Sequence, residues 1–225
     1  MEPSLAPADP GCPAACGKSA GRPRASEVEA RHQNLIHTAG RLFLKLGYGK
    51  VSLELIAREA HVAVRTIYVK FGGKAGLFQA VLASNREQFF TLSEMEADPR
   101  PFREVIRDFG LHFLEMMAAP QAVTIQRMVI AEAGTNPELA QSFFDAGPRQ
   151  TRDMLKRFFM RPDMRAALRE ELDIEQLAIY LTNCIIGDQF FGRFLFGPAA
   201  QSQEETLRDL EQRLDLFYRA VLKAP

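Results

Sequence analysis

From residue 26 onward, apolar side chains recur three and four positions apart, and no stretch alternates with period two long enough to make a strand. The pattern predicts an all-α protein. Ser26-Glu27-Val28-Glu29 has the form of a capping box and opens a helix running to about Leu46, with Leu35, Ile36, Ala39, Leu42 and Phe43 on its apolar face. Gly47 and Gly49 stop it. Ser52 can cap a short helix Leu53–Ala60, His61-Val62-Ala63 turns the chain, and a second short helix covers about Val64–Lys70. After Gly72-Gly73 a long helix is expected from Lys74 to about Glu94. Further helices follow over about Pro101–Met117 and Pro120–Ala133, from Thr135-Asn136-Pro137-Glu138, and from Gly147-Pro148 to about Met160. Two more run from Asp173 to about Phe196 and from the capping box Ser202-Gln203-Glu204-Glu205 to about Leu222.

The first 25 residues depart from this pattern: 14 are Ala, Gly or Pro, and Leu5 is the one large aliphatic side chain. Such a segment buries too little apolar surface to offset the entropy of ordering, so residues 1–25 are expected to form a disordered tail. Three scattered cysteines argue against a secreted disulfide framework. No run of about 20 apolar residues suggests a membrane span, and Met1-Glu2-Pro3-Ser4 lacks the basic start and apolar stretch of a secretory signal. The expectation is a cytoplasmic protein with no membrane partner. Its net charge of zero, 28 Lys+Arg against 28 Asp+Glu, is a cancellation. Residues 1–75 carry 11 Lys+Arg and 6 Asp+Glu, a net +5; residues 76–225 carry 17 and 22, a net −5. A basic N-terminal module precedes an acidic body, which keeps nucleic acid open as a partner.

The chemistry concentrates between Val51 and Phe78. Two short helices joined by a three-residue turn, braced by the longer helix before them, form a helix-turn-helix pattern whose second helix enters a DNA major groove. Leu42, Leu46, Val51, Ile56, Ala57, Ala60, Val62, Ile67 and Phe71 supply a shared core. The polar remainder of the second helix is Arg65, Thr66, Tyr68 and Lys70. Arg or Lys can read guanine edges, a Thr methyl can meet thymine, and Tyr or Lys can bind phosphate. Arg22 and Arg24, in Gly21-Arg22-Pro23-Arg24, are either a minor-groove arm or part of a solvated linker.

The run Val51-Ser52-Leu53 through Ile56-Ala57, Ala60-His61-Val62, Thr66-Ile67-Tyr68, Lys70-Phe71 and Lys74-Ala75-Gly76-Leu77-Phe78 resembles the tetracycline-repressor-like (TetR) family of bacterial transcriptional regulators. The likeness covers about Glu27 to Leu82, and Val129-Ile130-Ala131-Glu132-Ala133 with Pro137-Glu138-Leu139-Ala140 and Phe143 resembles one C-terminal subtype. The resemblance implies that Ser52 and Lys74 meet DNA phosphates, Arg65 and Thr66 face base edges, Tyr68 binds phosphate, and Lys70 binds phosphate or base. Two departures stand out. His61 replaces the usual turn Gly, where a left-handed backbone costs a non-glycine residue something. Ala63 replaces the usual capping Ser, leaving an N-terminal amide without its side-chain partner at about 1 kcal/mol.

The fold class that follows is an N-terminal three-helix helix-turn-helix DNA-binding domain, residues 26–73, and a C-terminal helical bundle, residues 74–225, that binds ligand and dimerises. Phe and Met are plentiful in that bundle. They are either plain core or the walls of an effector pocket, for which Phe109, Phe113, Met117, Met128 and Phe158, with polar Gln126, Arg127 and Asn183, are the candidates. In the last helix Leu207, Leu210, Leu214, Phe217 and Val221 form a heptad seam, and the helix before it is apolar nearly all round, with Leu177, Leu181 and Ile185 among its residues. Both helices are expected to pair with a second copy.

Other signals fail on spacing. Gly17-Lys18-Ser19 lacks the upstream Gly of a phosphate loop, because Cys12 stands there. Cys12 and Cys16 have no accompanying metal ligands, and the four histidines are dispersed. No catalytic constellation, cofactor motif or metal set is recognisable, so an enzyme is not expected. The reading is a homodimeric repressor released from a pseudo-palindromic operator in double-stranded DNA by a small apolar or amphipathic effector. The alternative is the same fold controlled by a protein partner or by thiol oxidation.

Overall fold

In a computed structural model, residues 25–188, 192, 195 and 202–223 are described. Residues 1–24 of the expected tail, with Cys12, Cys16, Arg22 and Arg24, lie outside them. Among the described residues the secondary structure is helical, apart from one isolated antiparallel bridge between Leu168 and Leu222.

The chain is already helical at Ala25, so Ser26 lies inside α1 (Ala25–Leu46) rather than capping it. Helices α2 (Leu53–Glu59) and α3 (Val64–Phe71) follow. Helix α4 (Lys74–Glu87) ends well before the expected Glu94. Its chain turns aside where Phe90 packs against Phe109 and Phe113, at ring-centroid separations of 5.5 and 6.5 Å, and continues into α5 (Leu92–Ala97). Next come α6 (Phe102–Ala118) and α7 (Pro120–Glu132).

The expected break before Gly147-Pro148 does not occur. Helix α8 (Pro137–Phe144) runs through a π-helical turn, Asp145–Arg149, into α9 (Gln150–Met160). Pro148 has no N–H to give, and the widened turn accommodates it inside a continuous helix. Helix α10 (Pro162–Ala167) is not among the expected helices, although Pro162 and Asp163 in its first turn mark its start. Helix α11 (Ile174–Ile186) stops short of Phe196, with the Gly187 N–H closing on the Asn183 carbonyl. The last helix, α12 (Gln203–Val221), carries the expected capping box at Ser202 and Glu205.

Two apolar cores result. The first joins Leu35, Ala39, Leu42 and Phe43 of α1 to Ile56, Ile67, Leu77, Phe78 and Val81, but also to Ile125 and Val129 of α7 and Leu139 of α8. Packing therefore runs on through α4 and into the second half of the chain, past the expected boundary at residue 73. The second core gathers Ile106, Phe109, Phe113, Met154, Phe158 and Phe159 with Leu177, Leu181, Ile185, Leu210, Leu214 and Phe217. This corrects the expected dimer seam. Leu177, Leu181, Ile185, Leu210, Leu214 and Phe217 are buried in their own chain, and Leu207 is half-buried. A side chain already sealed by its own fold cannot meet a second copy. The exposed large apolar groups of these two helices are instead Tyr180, 60% exposed, and Leu216, 68% exposed.

Candidate nucleic-acid interface and the cavity behind it

Helix α3 is placed from below by one fully buried side chain, with Val64 and Phe71 packed beside it. Ile67 is fully buried, and residues two positions to either side of it project about 200° away around the helix. The outward ridge is therefore Arg65 and Val69, flanked by Thr66 and Lys70 on one side and Tyr68 on the other. Arg65, Tyr68 and Lys70 are exposed, Thr66 is half-buried, and Val69 is 75% exposed. Sequence reasoning passed over Val69 because an apolar residue in an amphipathic helix reads as core. Its place directly opposite Ile67 was the available signal, and its methyl groups suit a thymine methyl.

The turn before α3 has the left-handed backbone and the uncapped start expected of it. His61 has φ 54°, the one non-glycine residue at positive φ among those described, and Ala63 makes no side-chain cap. Ser52 caps α2, its hydroxyl accepting from the Leu55 N–H at 3.2 Å. On the other flank α3 and α4 touch backbone to side: a Cβ added at Gly76 would stand 1.8 Å from the Phe71 carbonyl oxygen. Gly76 thus fixes how the recognition helix leans on α4.

Lys74 is not extended toward solvent. Its ammonium lies 4.2 Å from the centroid of the Tyr48 ring, where burial pulls its pKa down while Glu132 and Glu138 hold it up. Tyr48 in turn packs its ring against Phe43 and Phe78, and burial, with the charges of Glu138 and Glu132, pushes its phenol up to about 12.

Glu132, the last residue of α7, grips the same corner. Its Oε1 accepts from the Tyr48 N–H at 3.0 Å and its Oε2 from the Gly49 N–H at 2.7 Å, joining segments 84 and 83 residues apart. The Asn136 amide adds a donor to Oε2 at 3.3 Å. Gly47 makes room: at φ 84°, a Cβ there would stand 2.8 Å from Oε1. No sequence signal marked Glu132 for this task.

Helix α7 also walls a cavity of about 650 Å³ bounded by α4, α6, α8, the π turn, α9 and α11. Phe113, Met117, Gln126 and Asn183 lie on its wall. Phe109 and Phe158 instead fill the second core, Met128 packs on the first, and Arg127 is exposed outside the wall, so these four are corrected as lining candidates. Cys184, beside Asn183, donates its thiol to the Arg213 carbonyl at 3.1 Å, and burial pushes its pKa up. Among the described residues no group of three or more His, Cys, Asp and Glu could hold a metal, and no helix is long and apolar enough to cross a membrane.

Two family patterns match the chain: "Bacterial regulatory proteins, tetR family" over residues 35–81, and "AefR-like transcriptional repressor, C-terminal domain" over residues 104–220. YezE of Bacillus subtilis (strain 168), an HTH-type transcriptional regulator, is 27% identical over 165 residues, spanning 71% of this chain and 84% of its own. The HTH-type regulator SrpR of Pseudomonas putida is 38% identical over 65 residues, 29% of this chain and 30% of its own. Two solved structures share the fold across nearly their whole length. The flavonoid-responsive regulator FrrA has 24% identity and a TM-score of 0.68, over 88% of this chain and 100% of that one. NalD, the secondary repressor of the MexAB-OprM multidrug efflux pump in Pseudomonas aeruginosa, has 21% identity and a TM-score of 0.59, over 88% and 100%.

Proposed function

This chain belongs to the tetR family of DNA-binding, helix-turn-helix transcriptional regulators, and on that premise we propose that it is a homodimeric repressor released from its operator by a small apolar or amphipathic molecule held in the cavity. The carrying observation is that α7 serves both ends of the molecule. Ile125, Gln126 and Val129 face the cavity, and Glu132 at the end of the same helix holds the turn that leads into α2 and α3. A molecule that shifts α7 moves the base of the helix-turn-helix with it. Its leverage is bounded by its differential affinity for the two arrangements.

Residues 25–81 carry the DNA-reading function in this proposal, since their core closes only with Leu77, Phe78 and Val81 of α4. Arg65, Thr66 and Val69 face bases; Ser52, Tyr68 and Lys70 meet phosphates; and Lys74 supports Tyr48 more than it meets DNA. Two copies related by a two-fold would place two α3 helices in successive major grooves of a pseudo-palindromic site. The exposed side chains Tyr180 and Leu216 lie on the faces of α11 and α12 left for that pairing. Control by thiol oxidation finds no support at Cys184, whose raised pKa opposes thiolate formation.

In vitro selection of bound DNA tests the reading. A palindromic consensus, bound with two chains per site and lost on Arg65→Ala, is the expected result. Binding without sequence preference refutes it.

A further inference from the structure

The polar lining of the cavity is one-sided in charge. Its apolar wall comes from residues such as Phe89, Phe113, Phe143 and Ile125, while its charged residues are two arginines, Arg86 and Arg152. Among the described residues on the wall there is no Asp or Glu. Arg86, near the end of α4, is half-buried and gives one N–H to the Ala146 carbonyl of the π turn at 2.7 Å. Burial penalises its charge, and the carboxylate that partly offsets this, Glu87, is exposed and off the wall. The Arg152 guanidinium stands 5.5 Å from the Phe144 ring centroid. Gln126 is buried, and its amide N–H points to the Met117 sulfur at 3.3 Å, a weak acceptor. The wall thus offers two cationic donors and no carboxylate, with neutral amides and hydroxyls between them and phenylalanines around them.

We infer that the cavity takes an aromatic organic acid, its carboxylate meeting Arg86 or Arg152 and its rings lying on the wall's phenylalanines. A cation finds no countercharge on this wall. A neutral ring system of the same shape gains the apolar contacts but brings no negative charge to either arginine. This inference rests on the cavity being the effector site.

Matched probes separate the two claims. Binding of para-biphenylacetic acid, its methyl ester and para-biphenylethylamine to the full-length protein is measured by calorimetry, and by displacement of the neutral fluorophore N-phenylnaphthylamine. The acid should bind about tenfold more tightly than the ester, and the amine more weakly than the ester. Arg86→Gln removes the charge and, being shorter, also the bond to the Ala146 carbonyl; Arg152→Gln removes the other charge without touching that bond. Each should cut the acid-to-ester ratio severalfold while leaving the ester nearly unchanged. An acid no tighter than its ester, an amine that binds best, or a ratio indifferent to both substitutions overturns the inference while the cavity remains a binding site. Failure of the fluorophore and all three probes to bind overturns the effector reading as well.

Discussion

Glu132→Ala removes the side chain that ties α7 to the turn before α2. The lost bonds are two backbone amide donations to a carboxylate, each of a kind worth about 1.5–3 kcal/mol, and a longer one from the Asn136 side chain, which water can replace. Water can replace the partner of the exposed Gly49 N–H, whereas the Tyr48 N–H is partly buried. A net loss of about 2 kcal/mol follows. By hydrogen exchange this should appear as roughly thirtyfold faster exchange of the Tyr48 and Gly49 amides, since 1.4 kcal/mol is about tenfold. Amides deep in α6 and α9 should be spared. The thermal midpoint should fall by about 4–8 °C for a chain of this size. Gly47→Ala attacks the same contact from the other side. Its Cβ would stand 2.8 Å from Glu132 Oε1, and its φ of 84° costs alanine about 1 kcal/mol besides. The second cost persists in a Glu132→Ala background and the first does not, so the double-mutant cycle should show coupling of about 1 kcal/mol. Unchanged exchange at Tyr48 and Gly49, or strict additivity with Gly47→Ala, would refute the latch.

Arg65→Ala and Val69→Ala should relax preference at particular base pairs at about 1–3 kcal/mol each, whereas Tyr68→Phe and Lys70→Ala should weaken all sequences alike, Lys70→Ala also lowering the salt slope by about one; competitive band shifts across salt concentrations read both. Tyr180→Arg with Leu216→Arg should yield a folded monomer in sedimentation, while Leu214→Ala, inside the chain's own core, should cost about 2–5 kcal/mol in denaturant melts without that effect. His61→Gly, relieving the left-handed backbone at φ 54°, should raise stability by up to about 1 kcal/mol in the same melts.

The DNA-reading module was legible because its signals are local. Ser52 caps within its own turn, His61 advertises its backbone by standing where the family has Gly, and Ile67 sets the face of α3 by helical period alone. The junction was illegible for the opposite reason. Glu132 and the Gly47–Gly49 turn carry no shared pattern, and their meeting depends on how α7 crosses α1. Lys74 shows the same limit. The resemblance assigned it to phosphate, but the fold sets its ammonium over Tyr48, a residue that no spacing rule connects to it. Pro148 misled in a third way. A proline after glycine has the look of a helix start, and only a tertiary setting that holds a π turn open lets the helix pass through it.

The seam of α12 makes the same point about assembly. Heptad spacing states that a helix has an apolar stripe; it does not state whose surface covers it. Leu210, Leu214 and Phe217 are covered by the chain itself: Leu210 is packed so closely on α6 that a Cβ at Gly110 would stand 3.2 Å from it. With the stripe so used, a partner must meet the other side of the helix, where Leu216 stands out among Gln212, Asp215 and Arg219. A face that mixed, with one large apolar group among polar and charged neighbours, makes no periodic signal, so the surface that would pair two copies is the one a search for apolar periodicity passes over.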